Sequence, residues 1–134
     1  MKVTLTLRVR SAYPGQDPEL IKQSMDGELA KTEDGWCIRY AEPDPGMQGI
    51  TTTLTLRKDS VTMAREGSKT VMVFAAGKVT HCTYALDFGT MDMEIDTRAL
   101  HWEISGTKGK LDMKYSIGAS KEEAGHMDYH LILQ

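Results

Sequence analysis

The sequence predicts an all-β fold: a closed, antiparallel, up-and-down β-barrel of about ten strands, in a single domain over residues 1–134. Three observations carry that expectation. Apolar residues recur at every second position along most of the chain, which is the period of a half-buried strand. Turn residues interrupt this alternation roughly every 10–13 residues, and the links are short enough for hairpins. A meander of about ten twisted strands leaves two exposed edges, which closure removes.

Val3, Leu5, Leu7 and Val9 share one face of the first strand, with Lys2, Thr4, Thr6, Arg8 and Arg10 on the other. Pro14, Gly15 and Pro18 then mark a turn. Residues 19–31 admit a short helix capped by Asp17-Pro18-Glu19, with Leu20, Ile21 and Met25 along one side and Gly27 breaking it. A bent or bulged strand suits its neighbours better. Glu33-Asp34-Gly35 is a turn, followed by Trp36, Ile38 and Tyr40 in alternation. Glu42-Pro43-Asp44-Pro45-Gly46 is a loop, because proline cannot complete a ladder there. Ile50, Thr52, Leu54 and Leu56 form the next inward face. Val61, Met63 and Arg65 follow the Lys58-Asp59 turn. Beyond Glu66-Gly67-Ser68, Val71 to Phe74 is a short strand, and residues 75–78 turn again. The strand from Lys78 to Leu86 carries Cys82 and Tyr84 on one face and ends at the corner Asp87-Phe88-Gly89. Met91, Met93 and Ile95 then oppose Asp92, Glu94 and Asp96. Leu100, Trp102 and Ile104 alternate with His101 and Glu103. Leu111, Met113, Tyr115 and Ile117, then Met127, Tyr129, Leu131 and Leu133, complete the pattern.

Composition bounds the function. A chain of 134 residues, 40% apolar and 26% charged, builds a core without covalent staples. A net charge of −3 provides no general field for nucleic acid or an anionic membrane. Cys37 and Cys82 are too few for a disulfide framework and read as free thiols of a cytosolic protein. His81 precedes Cys82, but adjacent strand residues point to opposite faces. The N-terminal stretch alternates and is charged, unlike a signal peptide, and no apolar run approaches the roughly 20 residues of a membrane helix. The expected location is the cytoplasm. Phosphate-binding glycine loops, nucleophile elbows, zinc ribbons and RNA-stacking motifs are absent, so no cofactor and no metal are expected.

The chain resembles the YwiB-like bacterial domains of unknown function over nearly its whole length. The residues that carry the resemblance are Tyr40-Ala41-Glu42, Thr52 to Leu56, Arg65-Glu66-Gly67, Met72-Val73-Phe74 with Gly77, Tyr84 with Phe88-Gly89, and Gly109-Lys110-Leu111 with Tyr115. The resemblance implies a calycin-like (lipocalin-type) barrel in a bacterial cytosol and implies no activity. The lipocalin Gly-x-Trp signature is absent, since Gly35 and Trp36 are adjacent.

Strand direction gathers one polar group. In a meander the strand ending at Glu42 runs up, the next runs down, and the one ending at Glu66 runs up. Parity then sets Tyr40, Glu42, Thr52, Arg65 and Tyr84 at one barrel end. Glu42 and Arg65 begin about 10 Å apart across the Thr52 strand, a gap much of which an arginine spans. Such a group is either an ion pair that plugs the barrel or an anchor for an anionic headgroup above an apolar interior. A catalytic Glu42 lacks a second carboxylate or base beside it, so no catalytic residue is assigned. Met63, Met72, Phe74, Met91, Met93, Met113 and Tyr115 fall on the inward faces, where methionines suit either a plastic core or an adaptable pocket.

Two other clusters carry less. His126, Asp128 and His130 share a face, but the histidines lie about 13 Å apart, so a metal would need Asp128 and a ligand from a neighbouring strand. Asp92, Glu94 and Asp96 form an outward acidic stripe, with cross-strand Arg or Lys partners expected. The functional expectation is a barrel holding a small apolar or amphipathic ligand, any acidic group of which meets Arg65. The alternative is a non-catalytic structural or protein-interaction module with a side-chain-filled barrel, acting through its surface or as a homodimer.

Overall fold

The structure, a computed structural model, describes residues 1–67, 70–86 and 88–134, without the side chains of Met47, Ala85 and Leu86. The turns expected at Ser68 and Asp87 involve residues outside that set. Ten strands form one antiparallel sheet: β1 (Lys2–Ala12), β2 (Glu19–Lys31), β3 (Gly35–Ala41), β4 (Thr51–Arg57), β5 (Ser60–Glu66), β6 (Thr70–Ala75), β7 (Lys78–Leu86), β8 (Gly89–Ser105), β9 (Lys108–Gly118) and β10 (Gly125–Leu133). The spatial order is β6-β5-β4-β3-β2-β1-β10-β9-β8-β7. Every neighbour is a sequence neighbour except β1 and β10, which join the two ends of the chain, Leu7 opposite Leu131 and Val9 opposite Tyr129.

Residues 19–31 are strand throughout, which settles the open choice between strand and helix. The one helical element among the described residues is a single 3-10 turn, Pro45–Met47, in which the Asp44 carboxylate accepts from the Gly46 N–H at 2.9 Å. No helix among those residues is long and apolar enough to cross a membrane.

The barrel is nearly closed. Its seam lies between β6 and β7, which pack side by side without a shared ladder. Gly77 takes a positive φ of 72° at the link, and its N–H turns away to the Thr97 carbonyl. That conformation favours glycine, since a side chain there would crowd the backbone. The Thr80 hydroxyl donates to the Val73 carbonyl and ties the seam. At the end away from Glu42, the Trp102 indole N–H reaches the Arg57 carbonyl at 2.6 Å and binds β8 to the β4–β5 turn.

Inward residues from the strands make one apolar core in which Leu5, Ile38, Leu54, Leu56, Phe74, Leu111 and Leu131 are all fully buried. Two irregularities shape the wall. β2 pairs with β1 along almost all of its length but with β3 only from Glu28 to Lys31, so the wall forks and Glu19–Gly27 has an open edge. β8 carries a bulge between Thr97 and Ala99, and its parity switches there from Ile95 to Leu100. The runs Met91–Ile95 and Leu100–Ile104 are therefore one continuous strand.

Candidate functional site

The ends of β3 and β5, the start of β4 and the late part of β7 meet at one rim of the barrel. Hairpin register sets Tyr40 opposite Thr52 and Thr52 opposite Arg65, so three inward positions lie in a row. The Glu42 N–H bonds to the Ile50 carbonyl at 2.9 Å and carries the β3–β4 hairpin one step further, which places Glu42 beside that row.

There the Thr52 hydroxyl donates to Glu42 Oε1. Arg65 Nε stands 3.9 Å from the same oxygen. The Arg65 guanidinium also donates from Nη1 to the Tyr84 hydroxyl at 3.4 Å. The Glu42 side chain is 6% exposed and that of Arg65 is 23% exposed, so the carboxylate is enclosed while the cation keeps one side toward solvent. All five rim residues expected from the sequence come together.

The cluster is larger than parity alone predicted. Tyr115 and Tyr129 join it from β9 and β10, and Tyr13 joins from the β1–β2 turn, stacked over Gly125. Of the five tyrosines in the chain, Tyr40, Tyr84, Tyr115 and Tyr129 lie around Arg65, and Tyr13 lies beside Tyr84. Burial, and then the Glu42 charge, push the Tyr40 phenol up to about 12. Burial likewise raises Tyr115 to about 12 and Tyr129 well above the usual phenol range, while the Arg65 charge pulls all three the other way. These phenols stay protonated at neutral pH and serve as neutral hydrogen-bonding groups. The Tyr129 hydroxyl is buried and meets no partner in good hydrogen-bond geometry, although the Tyr40 hydroxyl is near enough to influence it.

Tyr115 and Tyr129 lay on inward faces in the sequence. Their level along the barrel depends on how β10 closes on β1, which local alternation does not specify. Tyr13 sits in a turn and left no periodic signal.

Of the inward residues expected, Met63, Met72, Phe74 and Met113 are buried in the core, and Phe74 packs on Tyr115 with ring centroids 4.6 Å apart. Met93 is half-buried against that core. Met91 is a correction: it is 37% exposed. β8 pairs with β9 only from Glu94 onward, so the exposed stretch 89–92 extends past the packed interior with β7 as its partner.

The other two clusters lie on the outer surface. His130 engages Asp112 through Nδ1 at 2.6 Å and Asp128 through Nε2 at 2.9 Å. The two carboxylates meet opposite sides of one ring and do not converge, and no metal-holding group of three occurs among the described residues. In the acidic stripe, Asp92 accepts from the Thr83 hydroxyl at 3.2 Å. The Arg or Lys partners expected there form no ion pair with the stripe among the described residues.

At the fork between β2 and β3 the outer wall is concave. A groove of about 550 Å³ lies there, bordered by Thr4, Asp26, Glu28, Arg39 and Tyr40. Tyr40 thus belongs both to the fork and to the rim cluster. On the inner side of the open β2 edge, Ile21 is 43% exposed, and Val9 and Met25 are half-buried against the core.

Residues 5–131 match the model of a protein family described as a domain of unknown function, DUF1934. Among solved structures, the crystal structure of the ywiB protein from Bacillus subtilis is similar at a TM-score of 0.83 and 17% identity, over 98% of this chain and 90% of that one. At that identity the likeness is one of fold. No curated protein matches the chain.

Proposed function

Since the chain belongs to the DUF1934 family, whose description assigns no activity, we propose from the site itself that it is a binding barrel for a small amphipathic anion, received at the Arg65 rim. The observation that carries this reading is the convergence of four of the five tyrosines, Tyr40, Tyr84, Tyr115 and Tyr129, on one half-enclosed arginine. A structural ion pair needs a partner carboxylate and a few hydrogen bonds. Four phenols, one with a buried hydroxyl out of good hydrogen-bond geometry, exceed that need.

An anionic headgroup would accept from Arg65 and from neutral phenols, which is a donor set matched to a carboxylate or similar oxyanion. The apolar tail would lie along Ile21, Val9 and Met25, where the open β2 edge leaves apolar surface accessible, because the deeper interior is occupied by buried side chains. Glu42 sets the selectivity. A ligand gains only what exceeds the Arg65–Glu42 attraction, so a neutral molecule has no electrostatic advantage.

Thermal-shift and calorimetric titrations with medium-chain carboxylates, beside the corresponding alcohols, test this directly. Saturable stabilisation by the acid and not by the alcohol is expected. Equal responses to both, or none, would refute it.

A second reading has its own observation. The far edge of β2 from Glu19 to Gly27 has no backbone partner among the described residues, and Leu20 and Ile21 are exposed beside it. Such an edge is a template for strand addition. Under this reading the protein is an interaction module, and a homodimer through paired β2 edges is its simplest form. Sedimentation across a hundredfold concentration range separates the two, since a monomer throughout excludes the dimer.

A further inference from the structure

A separate surface of the barrel carries a cationic groove of about 340 Å³, on the outer face of β1, β10, β9 and β8. Register builds it. Arg10 faces Asp128, Asp128 faces Lys114, and Lys114 faces Ala99, so four strands contribute one continuous row of outward positions. Adjacent strands are spaced by about 4.8 Å, which puts Arg10 and Lys114 roughly 10 Å apart at their backbones.

The third cation comes from the β8 bulge. Thr97 is fully buried, yet Arg98 and Ala99 are both exposed and alternation resumes with half-buried Leu100. The bulge therefore spends two consecutive residues on the outer face, and Arg98 borders the same groove as Lys114.

Arg10, Arg98 and Lys114 form no ion pair among the described residues, in a chain whose net charge is −3. The one carboxylate in the row, Asp128, engages His130 Nε2 at 2.9 Å instead. At the next level, Ser116 Oγ lies 3.0 Å from His126 Nδ1. When the serine donates to Nδ1, the ring proton sits on Nε2 and supplies one more donor.

We propose that this groove is a binding site for a phosphate-class dianion, held by Arg10, Arg98 and Lys114 with His126 as a further donor. Arg10, Arg98 and Lys114 are the cations of the groove and Asp128 is its one lining carboxylate, while Asp96, in register with Ser116, and Glu94 border Arg98 and His126 on the far side. Arginine forks engage two oxygens of such a group together, whereas lysine adds a point charge. The site uses neither Arg65 nor the fork, although Tyr115 borders both this groove and the rim cluster.

Amide chemical-shift titration of the protein with inorganic phosphate, at ionic strength held constant with chloride, is the test. Saturable shifts centred on Ala99, Ser116 and Lys114 are expected. Arg98→Ala should weaken binding about tenfold, Arg98→Lys should weaken it less, and Arg39→Ala on another face should leave it unchanged. Glycerol phosphate should bind as phosphate does. Shifts reproduced by chloride alone, or an Arg98→Ala protein that binds like the parent, would overturn the proposal. Sedimentation with phosphatidylglycerol vesicles but no phosphate saturation would overturn it in favour of a membrane surface.

Discussion

Replacing Arg65 with methionine removes the cation from an enclosed carboxylate while keeping an unbranched apolar stem in its place. Glu42 would keep the Thr52 hydroxyl but lose its charge partner, at 6% exposure. Breaking a fully buried pair costs about 3–5 kcal/mol, and an exposed pair contributes about 0–1. Here the carboxylate is buried, the cation is 23% exposed and the Nε to Oε1 separation is 3.9 Å. Solvent screening on the Arg65 side lowers the expected loss to about 2–3 kcal/mol. With unfolding entropy near 2.1 cal/mol/K per residue, that lowers the melting temperature by roughly 7–11 °C. Thermal and urea denaturation of Arg65→Met, Glu42→Gln and the double variant complete a cycle. The double variant should recover part of the loss, because no buried charge is then left unpaired. An Arg65→Met protein within about 0.5 kcal/mol of the parent would refute the pairing of these two groups.

Titration of the phenols gives a second prediction. Tyr40 and Tyr115, held near 12, and Tyr129, raised well above the usual phenol range by burial, should resist ionisation at pH 11 in the folded protein, as read from tyrosinate absorbance. The unfolded chain loses those protons near pH 10, so stability should be level below pH 10 and fall as pH rises toward 12, by about 1.4 kcal/mol per unit for each such tyrosine. Gly35→Ala should be severe, at about 3 kcal/mol or more, because a Cβ there would stand 1.8 Å from the Leu56 carbonyl oxygen. Gly15→Ala, with open space around it but a φ of 75°, should cost only about 1 kcal/mol. Hydrogen exchange along Glu19–Gly27 should alternate between slow amides bonded to β1 and fast amides on the open edge. Uniform protection would show that another strand occupies that edge.

Alternation made the fold legible because each strand needs one buried face, and a one-residue slip would bury its polar side. The same parity, with strand direction, brought Glu42, Thr52 and Arg65 together across three strands. What alternation cannot express is position along the barrel axis. Met91 shares the inward parity of Ile95 yet lies beyond the β9 ladder, where there is no interior to enter. Tyr129 reaches the rim because β10 pairs with β1, a closure between the two ends of the chain. The β8 bulge did leave a trace, the shift of apolar residues from odd to even positions between Ile95 and Leu100. It requires two same-side residues in succession, which a strict period of two does not anticipate.

The defining property proposed for this barrel is that the Arg65 rim receives an anion among neutral phenols. It is tested most directly by NMR of ring-labelled tyrosine during titration with octanoate, in the parent protein and in Arg65→Lys, which keeps the charge but loses the fork. Saturable shifts of the Tyr40, Tyr84 and Tyr115 rings are expected, with weaker binding in the lysine variant. Tyrosine resonances that stay fixed through saturating octanoate, or that move equally with octanol, would contradict it.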